Sequence, residues 1–224
     1  MSTFDQIPFE VEFADNPEPR CPCVLLVDTS GSMAGDPIRE LNTGLRVLRE
    51  SLSVDEMALK RVELSLVTFG PIKVRTNFQP VDQWEPPTLE AIGDTPIGGA
   101  VERALEILEQ RKTMYRENGI AYYRPWVFMI TDGSPTDVWE KAAERIQAAE
   151  AAKQMVFFCV GVEGADFEVL KKLGTREPLK LRGLQFREMF QWLSNSLCAV
   201  SQSQMGEAVP LTNPTAPNGW GVIA

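Results

Sequence analysis

The sequence predicts an α/β fold: a doubly wound, mainly parallel sheet with one antiparallel edge strand and helices on both faces. Three observations carry this. Short, continuously apolar runs at 23–27, 126–130 and 155–160 read as strands buried on both faces. Between them, apolar residues return every three or four positions, as on one face of a helix. The two kinds of segment alternate along the chain, which is the order of a parallel sheet whose crossovers are helices.

The first strand is Cys23-Val24-Leu25-Leu26-Val27. Pro37 opens a helix, because the first helical turn has no use for the N–H that proline lacks. Ile38, Leu41, Leu45, Leu48 and Leu52 then form one apolar stripe. Residues 62–69 alternate as a strand does, Gly70-Pro71 turns the chain, and 72–76 return as the antiparallel edge strand. After a proline-rich loop, Ile97, Val101, Ala104, Leu105 and Leu108 mark a second helix. The strand at 126–130 precedes an alanine-rich helix over 138–151, and Gly161 ends the third buried strand. Asp166 caps a short helix that reaches Leu173, with Gly174 placed to end it. Residues 179–181 make a brief strand, and Phe186, Met189, Phe190, Leu193, Leu197 and Val200 form the last helical stripe.

The 224 residues suit one domain. Residues 1–20, with Pro8, Pro17 and Pro19, read as a lead-in with one extended segment over 9–13. Residues 21–203 form the domain, and 204–224, rich in proline and asparagine, an irregular tail that Trp220 could dock. The net charge of −9 argues against nucleic acid or an anionic membrane as partner, since both need a cationic surface. Histidine is absent, which removes the Ser-His-Asp triad, the Cys-His pair and histidine metal ligands. Cys21, Cys23, Cys159 and Cys198 are too few and scattered for a disulfide scaffold, and read as reduced, packed thiols. No basic and apolar leader opens the chain, and no apolar stretch approaches the ~20 residues that span a bilayer, so a cytoplasmic protein is expected.

Three loops stand where the strands' carboxyl ends should lie, the usual place for ligands in such sheets. They are Asp28-Thr29-Ser30-Gly31-Ser32, Gly93-Asp94-Thr95-Pro96 and Thr131-Asp132-Gly133-Ser134. Each offers hard oxygen donors: the carboxylates of Asp28 and Asp132 and the hydroxyls of Ser30, Ser32 and Thr95. Few charges and room for water are what octahedral Mg²⁺ prefers, at ~2.1 Å. The same residues also suit helix capping: Asp28, Ser30 and Ser32 at a helix-entry loop, Thr95 before Pro96, and Asp132 ahead of the next helix. Asp28 ends a strand beside solvent, so its removal is expected to spare the fold.

Val27-Asp28-Thr29-Ser30-Gly31-Ser32-Met33 resembles the D-x-S-x-S signature of von Willebrand factor A (vWA) domains. Asp94-Thr95-Pro96-Ile97-Gly98-Gly99-Ala100 resembles the segment that carries the family's threonine, and Ile130-Thr131-Asp132-Gly133 the one with its second aspartate. The resemblance covers roughly residues 20–200 and implies a metal-ion-dependent adhesion site (MIDAS) at Asp28, Ser30, Ser32, Thr95 and Asp132. It implies bound Mg²⁺, or Mn²⁺ in its place, with an open position that an Asp or Glu carboxylate of a protein partner fills, and no catalysis. Compact size and the 94–100 segment are similar to bacterial TerY-type proteins, which are linked to tellurium resistance and chemical stress alongside a PP2C-type phosphatase and a protein kinase. Asp94 departs from the small residue expected there.

The alternative is a metal-dependent phosphotransferase or phosphatase that uses Asp28. Such enzymes need a second acid two residues on and a lysine near the metal, whereas position 30 is Ser30. Trp84, Trp126, Trp139 and Trp192 read as core or half-buried, and Tyr115, Tyr122 and Tyr123 as rings that tether a loop. Residues 111–116 read as a short basic patch at a helix end.

Overall fold

β1 (Cys21–Asp28) is buried along its whole length, and its side chains divide the molecule. Cys21, Cys23, Leu25 and Val27 enter one core layer, Val24 and Leu26 the other, because successive strand residues face opposite ways. α1 (Asp36–Ser53) and α6 (Phe186–Gln202) cover the first layer; α3 (Ile97–Glu117), α4 (Glu140–Ala151) and α5 (Phe167–Leu173) cover the second. The structure, a computed structural model, describes residue 13 and residues 16–224. The extended segment expected over 9–13 lies outside the described residues, apart from Phe13, which is buried.

Among the described residues the sheet runs β3-β2-β1-β4-β5-β6-β7. Its strands are β2 (Val62–Phe69), β3 (Lys73–Pro80), β4 (Trp126–Thr131), β5 (Val156–Gly161), β6 (Leu179–Leu181) and β7 (Gly221–Ile223). The run from β2 through β1, β4 and β5 to β6 is parallel, and β3 is the expected antiparallel edge. From β1 the chain winds outward through β2 and β3, then crosses by α3 to β4 on the other side of β1. The carboxyl ends of β1 and β4 therefore form the switch point, where an open sheet leaves a crevice.

Several expectations need correction. The tail is not irregular throughout: β7 pairs antiparallel with β6 and adds a second antiparallel edge. Trp220 is buried against Trp192, with ring centroids 5.6 Å apart, and Trp192 Nε1 donates to the Thr212 carbonyl at 2.7 Å. A short helix, α2 (Glu56–Arg61), was not expected, because it buries too little to show a stripe; the Asp55 carboxylate caps it through the Ala58 N–H at 2.7 Å. α4 begins at Glu140 rather than 138, and Val138 is exposed.

The basic stretch at 111–116 is not a surface patch at its start. Arg111 and Lys112 are buried, and Arg111 Nε meets Glu63 Oε2 at 2.8 Å. Arg20 Nε meets Glu63 Oε1 at 3.0 Å, and the Tyr115 hydroxyl donates to Glu63 Oε2 at 2.5 Å. Two guanidiniums and a phenol thus satisfy one buried carboxylate. Tyr123 does tether, donating to the Ser203 carbonyl at 2.6 Å.

Trp220→Ala is expected to cost about 3 kcal/mol in urea unfolding, as for other buried aromatics. Trp220→Phe should cost less, since the indole N–H has no partner among the described residues. Burial pushes all four thiols up, Cys21 to about 12 and Cys198 to about 11, so in the native protein at pH 8 a thiol reagent should react slowly and only at Cys198, the one thiol that is not fully buried. All four should react once the chain is unfolded.

Candidate metal centre

The five oxygen-bearing residues meet at the switch point. Asp28 ends β1 and is wholly buried, which corrects the expectation of a solvent-side carboxylate. Its Oδ1 accepts the Ser30 N–H at 2.8 Å, an Asx turn that folds the chain back on itself. Its Oδ2 accepts the Thr131 hydroxyl at 2.5 Å from the end of β4. A single 3₁₀ turn over Gly31–Met33 follows and presents Ser30 and Ser32 on one side.

Ser32 Oγ donates to Asp132 Oδ1 at 2.7 Å, and Ser30 Oγ lies 3.0 Å from Ser32 Oγ. Ser32 spends its one proton on the carboxylate, so Ser30 is the donor to Ser32. The chain Ser30 to Ser32 to Asp132 joins the β1 loop to the β4 loop. Thr95, also buried, comes from the third loop: a Cβ built on Gly133 would sit 3.0 Å from Thr95 Oγ1. The third loop is held by the Thr136 N–H, which donates to the Thr95 carbonyl at 3.0 Å.

None of the five serves as a helix cap. α1 starts at Asp36 behind Gly35, with no side-chain cap. The first amides of α3 are taken by Asp137, whose oxygens accept from Gly98 at 2.9 Å and Gly99 at 2.7 Å. α4 starts behind Trp139, with no side-chain cap. The hydroxyls and carboxylates are therefore free of the duty that the alternative reading gave them.

Two residues of the site were missed in the sequence. Thr131 was quoted within its loop but not as a partner of Asp28; the strand register, with Val27 opposite Ile130, brings them together. Gly70, with φ of +90°, lets the β2–β3 turn touch the site, since a Cβ would lie 2.7 Å from Ser30 N and 2.8 Å from the Asp94 carbonyl. Asp94 itself is exposed.

Burial pushes both carboxyls above their usual range, and the charge of Asp132 adds to the effect at Asp28. Hydrogen bonds from Ser30 and Thr131 to Asp28, and from Ser32 to Asp132, oppose it. Two crowded anions without a cationic side chain, surrounded by hydroxyls, fit a hard divalent cation. Among the described residues no three Cys, Asp or Glu side chains gather as a metal site, so the arrangement rests on hydroxyls beside two carboxylates.

The family model for the von Willebrand factor type A domain matches residues 23–182. The chain belongs to that family. No curated protein sequence matches significantly. Among solved structures, this vWA chain is similar to proximal thread matrix protein 1 from the mussel byssus: 16% identity, TM-score 0.59, 82% of this chain and 47% of that one. A second form of that protein, described as having a zinc-occupied MIDAS motif, matches at 13% identity and TM-score 0.54, over 83% of this chain and 49% of that one. The pilus adhesin SpaC from Lactobacillus rhamnosus GG matches at 12% identity and TM-score 0.64, over 83% of this chain and 31% of that one. This vWA chain thus spans less than half the length of these structures. At such identities the likeness is one of fold.

A carboxyl pushed up by folding contributes stability below the ordinary carboxylate range and loses it as pH rises through the folded value. Above the ordinary carboxylate range Asp28 therefore weighs against the metal-free fold. Asp28→Asn should raise the melting temperature in EDTA at pH 7. Asp28→Ala should fall below Asn by about 1–3 kcal/mol, because it strands the Ser30 N–H and the Thr131 hydroxyl.

Proposed function

We propose that this vWA chain is a non-enzymatic, metal-dependent protein-interaction module of the MIDAS type. The observation that supports it best is the Ser30–Ser32–Asp132 hydrogen-bond chain, which gathers oxygens from two strand ends beside Thr95 from a third loop. Asp28, Ser30, Ser32, Thr95 and Asp132 would hold Mg²⁺, with Mn²⁺ as a substitute, since the set contains no soft donor. The bound ion would supply an electrophilic point that accepts a carboxylate from an Asp or Glu of a protein partner. The residues do the rest: the two aspartates balance the charge, the hydroxyls position it, and the backbone keeps the loops in place.

The enzymatic alternative loses support from the same geometry. A nucleophilic Asp28 needs a second acid two residues on as general acid, but position 30 is Ser30, whose hydroxyl is engaged with Ser32.

The finer reading rests on the TerY-type resemblance of residues 94–100: a bacterial adaptor in tellurium or chemical stress, with a PP2C-type phosphatase or a protein kinase as partner. A cytoplasmic place is supported by four cysteines that stand free. No helix among the described residues is long and apolar enough to cross a membrane.

Calorimetry should show one Mg²⁺ site in the full chain, lost in Asp132→Ala; heat-free titration both with and without acetate would overturn the reading. Partner capture should need Mg²⁺ and end on adding EDTA, while phosphatase and ATPase assays stay blank. Docking should be rigid, because the tail straps α6 through Thr212 and Trp220 against Trp192. Hydrogen exchange on partner binding should slow only near 28–36, 93–98 and 131–137; a change across 186–202 would mean a switch instead.

A further inference from the structure

The rim around the candidate metal site combines exposed aliphatic side chains with more acids than bases: Lys73 follows Ile72, and Arg39 is paired with Asp36. Among the described residues six large hydrophobic side chains are exposed, and three of them belong to this end of the sheet. Ile72, 36% exposed, is in the β2–β3 turn; Ile92, 64%, precedes the Thr95 loop; Val138, 75%, follows the Asp132 loop. The others, Val54, Met205 and Ile223, lie apart on the α1–α2 turn, the tail and β7.

Backbone contacts fix the three beside the site. The Ile92 N–H donates to the Thr29 carbonyl at 2.7 Å, one residue from Ser30. Ile72 Cδ1 would lie 2.8 Å from a Cβ on Gly99, and the Val138 carbonyl 2.1 Å from one on Gly98, so the two flank the first turn of α3 just past Thr95. The loops at 29–36, 70–72, 91–96, 132–139 and 162–166 carry Asp36, Asp94, Asp132, Asp137, Glu163 and Asp166 but no lysine or arginine.

Building on the proposed metal site, we infer that this rim selects a partner segment with one Asp or Glu flanked by large aliphatic residues, with Lys or Arg beyond them. The single acid is admitted through the metal. Its aliphatic neighbours cover Ile72, Ile92 and Val138, which removes apolar surface from water on both sides. A second acid in the segment would be repelled by Asp94, Asp137 and Glu163, which pair with no cation among the described residues, whereas a lysine is drawn to them.

The test uses the full chain and blocked pentapeptides, read by NMR titration with Mg²⁺ in excess. Lys-Leu-Asp-Leu-Lys should bind at least about fivefold more tightly than Lys-Ser-Asp-Ser-Lys and than Glu-Leu-Asp-Leu-Glu, and Lys-Leu-Asn-Leu-Lys should not bind. In Ile92→Ser and Val138→Ser, whose side chains are exposed, calorimetric Mg²⁺ binding should stay unchanged while the leucine preference shrinks. Equal binding of the leucine and serine peptides, an unchanged preference in both variants, or no Mg²⁺-dependent binding of any peptide would overturn the rim inference while the metal reading stands. Loss of Mg²⁺ binding in the unsubstituted chain would remove both.

Discussion

Everything at the carboxyl end of this sheet depends on loops that are tied to one another by their backbones. The Thr29 N–H reaches the Phe69 carbonyl at 2.8 Å, Gly31 reaches Gly93 at 2.9 Å, Ile92 reaches Thr29 at 2.7 Å, and Val162 reaches Thr131 at 2.8 Å. These bonds link five chain segments before any functional side chain is considered. They hold the loops together alongside the Asp28 Asx turn and the Ser30–Ser32–Asp132 chain, so the two buried aspartates stand among hydroxyls in a braced frame. A preorganised frame of this kind lowers the ordering cost of binding.

The two ends of the sheet treat buried acid in opposite ways. At the amino end, Glu63 on β2 is neutralised within the protein by Arg20, Arg111 and Tyr115. At the carboxyl end, Asp28 and Asp132 meet only hydroxyls and amides. A closed ion cluster contributes to a single folded arrangement; an anionic pair left without an internal cation is where an external one has most to offer.

The sequence made the strand and helix order legible because buried strands and apolar stripes are local patterns. The three donor loops were legible for the same reason, each lying within a few residues of a strand end. What escaped depends on partners far along the chain. Thr131 finds Asp28, and Gly70 finds Ser30, only through the register that sets β1 between β2 and β4. Arg111 read as part of a basic patch at a helix end because nothing near it announces Glu63, 48 positions away. β7 escaped because three residues are too few for a period of two to show, and its place is set by pairing with β6.

That late strand has a bearing on how the molecule behaves at high concentration. A parallel sheet ending in the bare three-residue β6 would offer open N–H and C=O groups to a neighbouring chain, a template for edge-to-edge aggregation. β7 occupies that row, and on the far side β3 brings Lys73, Arg75 and a register irregularity against β2, ending at Pro80. Both flanks are thus poor at recruiting further strands, so the sheet is guarded at each side against growing into an intermolecular ribbon.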